Sequence, residues 1–170
     1  MLNILCWNCR GARKKETGNF LRHLIGEHGV SFIGLLETKM ETWMRRDVDR
    51  LVGRNWDFCF QPSHGRAGGI LVLWKNMLGT FQISFQSNQC IISTLTRSTT
   101  IAWDIVVVYA NNDMYGRRQL WEDISNHLSA ALPHVVGGDF NCILEPDEKK
   151  GGKPFTYSQS ASEMGGFYGC

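Results

Sequence analysis

An apolar run in the chain stops abruptly at two groups that can do work: Val136-Gly137-Gly138-Asp139-Phe140-Asn141. Side chains two apart on an extended segment share a face. Asp139 is therefore set to take a proton or hold a metal, and Asn141, on the same side, to fix a partner group by hydrogen bonding. Alone, the stretch reads equally well as a strand followed by an Asp/Asn turn. Three further apolar runs end in the same way. Leu5-Cys6-Trp7 ends at Asn8, Val30 to Leu36 ends at Glu37, and Ile101 to Val108 ends at Tyr109 with Asn111, Asn112 and Asp113 behind it. Each has a plainer reading: Asn8 as a turn former, Glu37 as a helix cap, Tyr109 as a packing residue. If the four ends meet on one rim, where sheets commonly build their sites, they assemble two carboxylates, two or three carboxamides and a phenol.

Those residue types narrow the chemistry. Carboxylate and carbonyl oxygens suit Mg²⁺, which keeps much of its water and binds phosphate oxygens. No His/Cys set with zinc spacing accompanies them, since Cys6-x-x-Cys9 has no second pair. The nucleophile elbow G-x-S-x-G is absent, as are the G-x-G-x-x-G and P-loop fingerprints of nucleotide-cofactor sites. Asn donors and a Tyr hydroxyl suit charge developing on phosphorus. Hydrolysis of a phosphoester by activated water is the reaction class that follows.

The elements that must position these groups come from the periodicity. Strands are expected over 2–7, 30–36, 56–60, 70–74, 81–85, 89–96, 101–109 and 134–140. Helices are expected over 17–28, closed by Gly29, over 41–51, and over 118–132, stopped by Pro133. A Gly-rich loop is expected over 62–69, and a hairpin link over 97–100. Helices alternate with strands early and hairpins fill the middle, which predicts an α/β sandwich with mixed sheets rather than a doubly wound sheet.

The bulk properties agree. The chain has 170 residues, enough for one domain with a core, and 43% are hydrophobic against 20% charged. The net charge of +2 names no partner. The clusters Arg10 to Lys15, Arg45-Arg46, Arg117-Arg118 and Lys149-Lys150 read first as solvated faces and second as phosphate contacts. The six cysteines read as reduced, packed thiols. No signal peptide is expected, since Met1-Leu2-Asn3 opens directly into a strand, and the expected location is intracellular.

In this order the motifs resemble the endonuclease/exonuclease/phosphatase superfamily. Trp7-Asn8 resembles its opening W-N motif, Leu36-Glu37-Thr38-Lys39 its glutamate motif, Gly68-Gly69 and the apolar residues after it its G-G strand, Tyr109 with Asn112 its Y-x-x-N, and Gly138-Asp139-Phe140-Asn141 its G-D-F-N. W-N-C-R-G, L-L-E-T-K, G-G-I-L-V-L-W-K and E-K-K-G-G-K-P are most similar to endonuclease domains of plant LINE-type retrotransposons, over residues 2–154. The resemblance implies a single, partial domain over 1–170, with 155–170 a truncated tail. Its fold would be a four-layered α/β sandwich of two mixed sheets flanked by helices, incomplete at the C-terminus. It implies Mg²⁺, with Mn²⁺ as a substitute, held by Glu37 and Asn8. Asp139, Asn141 and Tyr109 would be catalytic and Asn112 would bind phosphate. The partner would be DNA, cut in the nucleus, and a fused reverse transcriptase would follow in a full-length relative. Where repair-type relatives carry an acidic residue this chain has Arg10, and the family's closing S-D-H motif is missing. Weak or absent endonuclease activity is expected for that reason. The alternatives are another phosphoesterase of the same superfamily and a non-catalytic, degenerate retroelement fragment.

Overall fold

The computed structural model describes residues 2–65, 67–98, 101–143, 146–148, 150–151 and 166. Among the described residues eight strands and three α-helices follow one another as β1 (Ile4–Asn8), α1 (Lys15–His28), β2 (Phe32–Leu36), α2 (Arg45–Val52), β3 (Trp56–His64), β4 (Ala67–Lys75), β5 (Thr80–Gln86), β6 (Cys90–Ser98), β7 (Ile101–Tyr109), α3 (Met114–His127) and β8 (His134–Asp139). They form two four-stranded sheets, ordered β1-β2-β4-β3 and β5-β6-β7-β8. In each sheet one edge pair is parallel, β1 with β2 and β7 with β8, and the other pairings are antiparallel. A parallel neighbour requires a crossover, and α1 and α3 are those crossovers. Both parallel pairs therefore deliver their C-terminal ends to the same rim.

Three apolar layers hold the sandwich. Leu21, Ile33, Leu35, Val48, Leu71 and Leu73 pack α1 and α2 onto the outer face of the first sheet. Phe32, Leu36, Ile70 and Val72 meet Ile91, Leu95, Ile105 and Val107 between the sheets. Cys90, Ile92, Val106 and Val108 meet Leu120 and Ile124 of α3 on the far side. Alternate residues of one strand thus serve different layers, which makes β2 and the middle of β4 continuously apolar. β1 and β8 were expected to be buried; they are half-buried, each lying at the end of its sheet among the described residues.

Several boundaries differ from the sequence expectation. The loop expected over 62–69 is instead a hairpin of β3 and β4 turning at Gly65. Pro62 is accommodated because β3 pairs on one side only, where a residue without an N–H costs no ladder bond. The second helix starts at Arg45 rather than 41, so Trp43 and Met44 precede it, and Asp47 Oδ2 accepts the Met44 N–H at 3.0 Å. The third helix spans Met114–His127 rather than 118–132. Asp113 caps it by accepting from the Tyr115 and Gly116 N–H groups at 2.9 and 3.0 Å. Beyond Leu128 the chain is drawn out of helix by the Ser129 N–H bond to buried Asp104, 2.8 Å. Ile83, expected on the covered face of β5, is exposed beside a register shift. The 97–100 hairpin link lies partly outside the described residues, but β6 and β7 pair up to Ser98–Ile101. The E-K-K-G-G-K-P segment lies largely outside them, and the 155–170 tail does so apart from Gly166. Cys6, Cys9, Cys59, Cys90 and Cys142 are free thiols.

The sheets approach closely where Gly34 of β2 faces Val107 of β7. A Cβ on Gly34 would stand 2.7 Å from Val107 Cγ1 and 3.0 Å from Cγ2. Gly34→Ala should destabilise the fold by about 1–3 kcal/mol through overpacking, read as a shift in urea midpoint with an unchanged slope. Gly26, whose Cβ would meet nothing within 4 Å, should tolerate alanine without loss.

Candidate active site at the strand ends

Four non-glycine residues have left-handed backbone among the described residues: Arg10 (φ 49°), Glu37 (φ 54°), Lys39 (φ 57°) and Asn141 (φ 49°). All four lie within three residues of the ends of β1, β2 or β8, at the rim where the parallel pairs end. A left-handed side chain costs roughly 1–2 kcal/mol, so such residues persist only where the surroundings over-determine them. Here main-chain bonds do so. Gly11 and Ala12 N–H donate to the carbonyls of Glu37 and Thr38 at 2.9 and 3.0 Å, while Thr38 and Lys39 N–H donate to those of Gly69 and Gly68, both at 3.1 Å. The sheet is continued past its regular end in a kinked form that turns the Glu37 side chain outward.

The two glycines of β4 make that kink fit. Gly69 (φ 88°) faces Thr38, whose Oγ1 would be 2.5 Å from an added Cβ, and Gly68 (φ 74°) lies 3.7 Å from the Tyr109 ring by the same measure. On β8, Gly138 (φ 148°) runs so close to β7 that a Cβ would collide with the Val108 carbonyl. Gly69 thus sets Thr38 next to Glu37 and Gly138 sets Asp139, while Gly68 leaves Tyr109 at ordinary contact distance.

Asp139 is held from both sheets. Its Oδ2 accepts from Asn8 Nδ2 at 2.8 Å and its Oδ1 from the Asn141 N–H at 3.0 Å. Asn8 Oδ1 in turn accepts from the Arg10 N–H at 3.3 Å. Asn141 Nδ2 donates to the Ala110 carbonyl at 2.6 Å, leaving its second amide hydrogen and its side-chain oxygen Oδ1 for other partners. Tyr109 is the register partner of Asp139 across β7 and β8. Asn8, Asp139, Phe140, Cys6, Cys142, Leu36, Gly138 and Glu148 line a cleft of about 420 Å³. Burial raises the Cys142 thiol and pushes Cys6 up to about 11, so neither supplies a thiolate nucleophile at neutral pH.

The structure thus brings Asn8, Asp139 and Asn141 into direct contact and sets Tyr109 beside them. Asn112 stands apart. It lines a neighbouring cleft of about 220 Å³ with Tyr109, Gly68 and His64, and its carbonyl is held by Arg117. That arginine was expected on a solvated face and is instead 3% exposed. Its Nη1 donates to the carbonyls of Asn111 and Asn112, both at 2.8 Å, and of Asn141 at 3.3 Å. It ties the loop after β7 to the loop after β8. The signal was its place in the α3 apolar stripe, with Leu120 and Ile124. Gln89 went unnoticed too. Nearly buried, it donates to the Gly116 carbonyl at 2.8 Å and accepts from the Asn111 N–H at 2.7 Å. A third omission is Lys39, whose Nζ lies 3.2 Å from Glu37 Oε1.

The donor set fits a hard divalent cation. Glu37, Asn8 and Asp139 offer only oxygens besides amide nitrogen. Among the described residues no group of three or more His, Cys, Asp or Glu side chains stands together to hold a metal ion. Burial raises the Tyr109 hydroxyl above its ordinary value, and the negative charges of Glu37 and Asp139 raise it further. The phenol therefore reports a spot where negative charge converges.

Two outcomes follow. In a spectrophotometric titration, the phenolate signal lost in Tyr109→Phe should develop above the ordinary value of 10.0, and Glu37→Gln should bring it down. A phenol raised on folding favours the folded state below its unfolded pKa and loses that contribution as pH rises through the folded value. Identical titrations in the two proteins would mean that Glu37 does not face the ring. Arg117→Ala, which orphans two or three carbonyls, should destabilise the protein by about 2–4 kcal/mol, measured by urea unfolding.

Comparison with known proteins places this geometry. Residues 5–168 match the model of the "Endonuclease/Exonuclease/phosphatase family". No curated protein sequence matches the chain. Among solved structures, an AP endonuclease from Archaeoglobus fulgidus superposes with a TM-score of 0.64 at 17% identity, covering 86% of this chain and 60% of that one. The AP endonuclease LMAP from Leishmania major gives 0.67 at 15%, covering 94% and 59%. The APE2 catalytic domain of Xenopus laevis gives 0.66 at 14%, covering 96% and 67%. These likenesses establish the fold, and the chain spans about 60% of the length of the first two. The sandwich and the motifs at its strand ends are those of one family: the chain belongs to the endonuclease/exonuclease/phosphatase family.

Proposed function

We propose that the chain is the larger part of a Mg²⁺-dependent DNA endonuclease domain of retrotransposon type. The observation that carries the reaction class is the meeting of Asn8, Tyr109, Asp139 and Asn141 at one rim, with Glu37 close enough to bear on the Tyr109 phenol. DNA as substrate is supported by the structural neighbours described as AP endonucleases. The retrotransposon type is supported by the W-N-C-R-G and L-L-E-T-K wording. Arg10 next to the Asn8 carboxamide, where repair-type relatives are acidic, argues against abasic-site repair.

Glu37 and Asn8 would hold the cation, which when bound supplies positive charge against the scissile phosphate. Asp139, its two oxygens fixed by Asn8 and Asn141, is oriented to accept a proton from attacking water. Tyr109 stays protonated at neutral pH and donates a hydrogen bond to a phosphate oxygen. Asn141 offers its remaining amide hydrogen to the same group, and Asn112 does so from the neighbouring cleft. The nicked strand would leave a 3′-hydroxyl for the reverse transcriptase that follows in full-length relatives. None of the five histidines lines the cleft with Asp139, so no imidazole is placed there to protonate the leaving group. General acid catalysis of that kind is worth roughly 10²–10⁴-fold.

Titration of the chain with Mn²⁺, followed by water-proton relaxation, should show one site that Glu37→Ala removes. Supercoiled plasmid with Mg²⁺ should show no more than trace nicking. Absence of Mn²⁺ binding would refute the metal site, and vigorous nicking that depends on Glu37 would refute the expected weakness.

A further inference from the structure

A second concave feature lies away from the strand ends, on the outer face of the first sheet. The loop after β1, the start of α1 and the length of α2 enclose a groove of about 490 Å³, within the size range of ligand pockets, roughly 300–1,000 Å³. Its floor is apolar, with Ala12, Met40, Trp43 and Leu51, and its walls carry Arg13, Lys14, Lys15, Arg22, Arg46 and Arg50. Gly18 of α1 faces Leu51 of α2, whose Cδ1 would lie 3.7 Å from an added Cβ.

Two of these cations are occupied. Arg22 Nη1 donates to the Arg50 and Leu51 carbonyls at 2.7 and 3.1 Å, finishing α2, and Arg13 Nε contacts Met40 Sδ at 3.0 Å. Among the described residues no hydrogen bond or ion pair engages the side chains of Lys14, Lys15, Arg46 or Arg50, and all four are exposed. Arg46 and Arg50 stand one turn apart on the same face of α2. The lining carries one acidic residue, Asp47, whose Oδ2 accepts from the Met44 N–H, against these four cations. The first turn of α1 has no side-chain cap, which adds its N–H groups to the positive field. Four unpaired cations around an apolar floor fit a polyanion with apolar faces between its charges.

We infer that this groove binds a single-stranded stretch of nucleic acid flanking the phosphodiester held at Asn8 and Asp139. The inference rests on the function proposed above and extends it. Continuity favours a nucleic-acid strand over an acidic protein segment. Asn8 and Lys14 are joined by a short loop, six residues that reach at most about 21 Å, and that loop carries Arg10 and Arg13 between them. A strand leaving the cleft over Arg10 meets Lys14 and Lys15 next, then the Arg46/Arg50 wall. Phosphates on the cations, with bases over the exposed Met44 side chain at the groove's edge, give a backbone-tracking groove of the sequence-tolerant kind.

The test is anisotropy of a fluorescein-labelled single-stranded oligodeoxynucleotide with the full chain in EDTA, across a salt series. R46E/R50E should weaken binding roughly tenfold and lower the log–log salt slope by about 1.4, two phosphate contacts on a single strand. R46Q/R50Q should lose the same slope with a smaller loss of affinity, which covers the case of a charge-reversed protein that folds poorly. R54E/K75E makes the same change in net charge outside the groove and should leave the slope unaltered. Equal effects of the two charge-reversed pairs, or displacement of the oligonucleotide by polyglutamate at equal charge concentration, would overturn the groove as a nucleic-acid site. Because no metal is present, this result is independent of the Mn²⁺ titration. Loss of Mn²⁺ binding with an intact groove effect refutes only the metal site, and the reverse refutes only the groove.

Discussion

The contact between Gly34 and Val107 fixes the distance between the two sheets where it matters. Glu37 follows Gly34 by three residues and Tyr109 follows Val107 by two, so the spacing set by a missing Cβ carries directly to the rim. Interiors pack at crystal-like density and do not deform smoothly. A side chain at position 34 would therefore separate the strand ends as well as strain the core. Glycine inside a buried strand is otherwise unfavourable, and its presence between Ile33 and Leu35 is explained by the site more readily than by the strand.

The same logic runs through the other rim glycines. Gly69 faces a Thr38 hydroxyl that is buried without a partner, and Gly138 presses against the Val108 carbonyl. The rim thus combines left-handed backbone at Glu37 and Lys39 with an orphaned hydroxyl and close main-chain approaches, each unfavourable alone. They are tolerated because β2 and the middle of β4, Gly69 to Leu73, are buried without a break, so the kinked extension is anchored on a rigid base. Stability lies in the apolar centre of each strand, and the departures from regular geometry lie at its C-terminal end, where the chemistry is.

Much of this was legible in the sequence because a strand buried on both faces has no polar residue to spare. Where such a run stops, the next polar group lies at the rim, as Glu37 does after β2, while Asp139 ends a half-buried strand and was marked by the Gly137-Gly138 before it. Arg117 could not, because a guanidinium beside a second arginine reads as solvated. Its role depends on carbonyls from two loops that only the folded chain brings together. Trp43, at helical spacing but before the helix, and Pro62, inside an edge strand, were misplaced for one reason: side-chain capping by Asp47 and hairpin pairing of β3 with β4 overrode the local propensity. The β1–β8 relation was equally hidden, since Asn8 and Asp139 are separated by 131 positions.

That long-range bond also determines how reaction and substrate divide over the molecule. Asn8 belongs to one sheet and Asp139 to the other, so the carboxylate keeps its orientation only while the sheets keep theirs. Reaction class is therefore a property of the sandwich and is shared by whatever else is built on it. Substrate choice must come from what overhangs the rim: the basic loop after β1, the β3–β4 hairpin with His64, and the Asn111-Asn112 loop that Arg117 fastens down. These segments touch the rim without contributing to the central core between the sheets, and can change without disturbing Gly34 and Val107. A fold with this division carries one chemistry to many substrates, and the residues that distinguish this chain within its family are to be sought in those three segments.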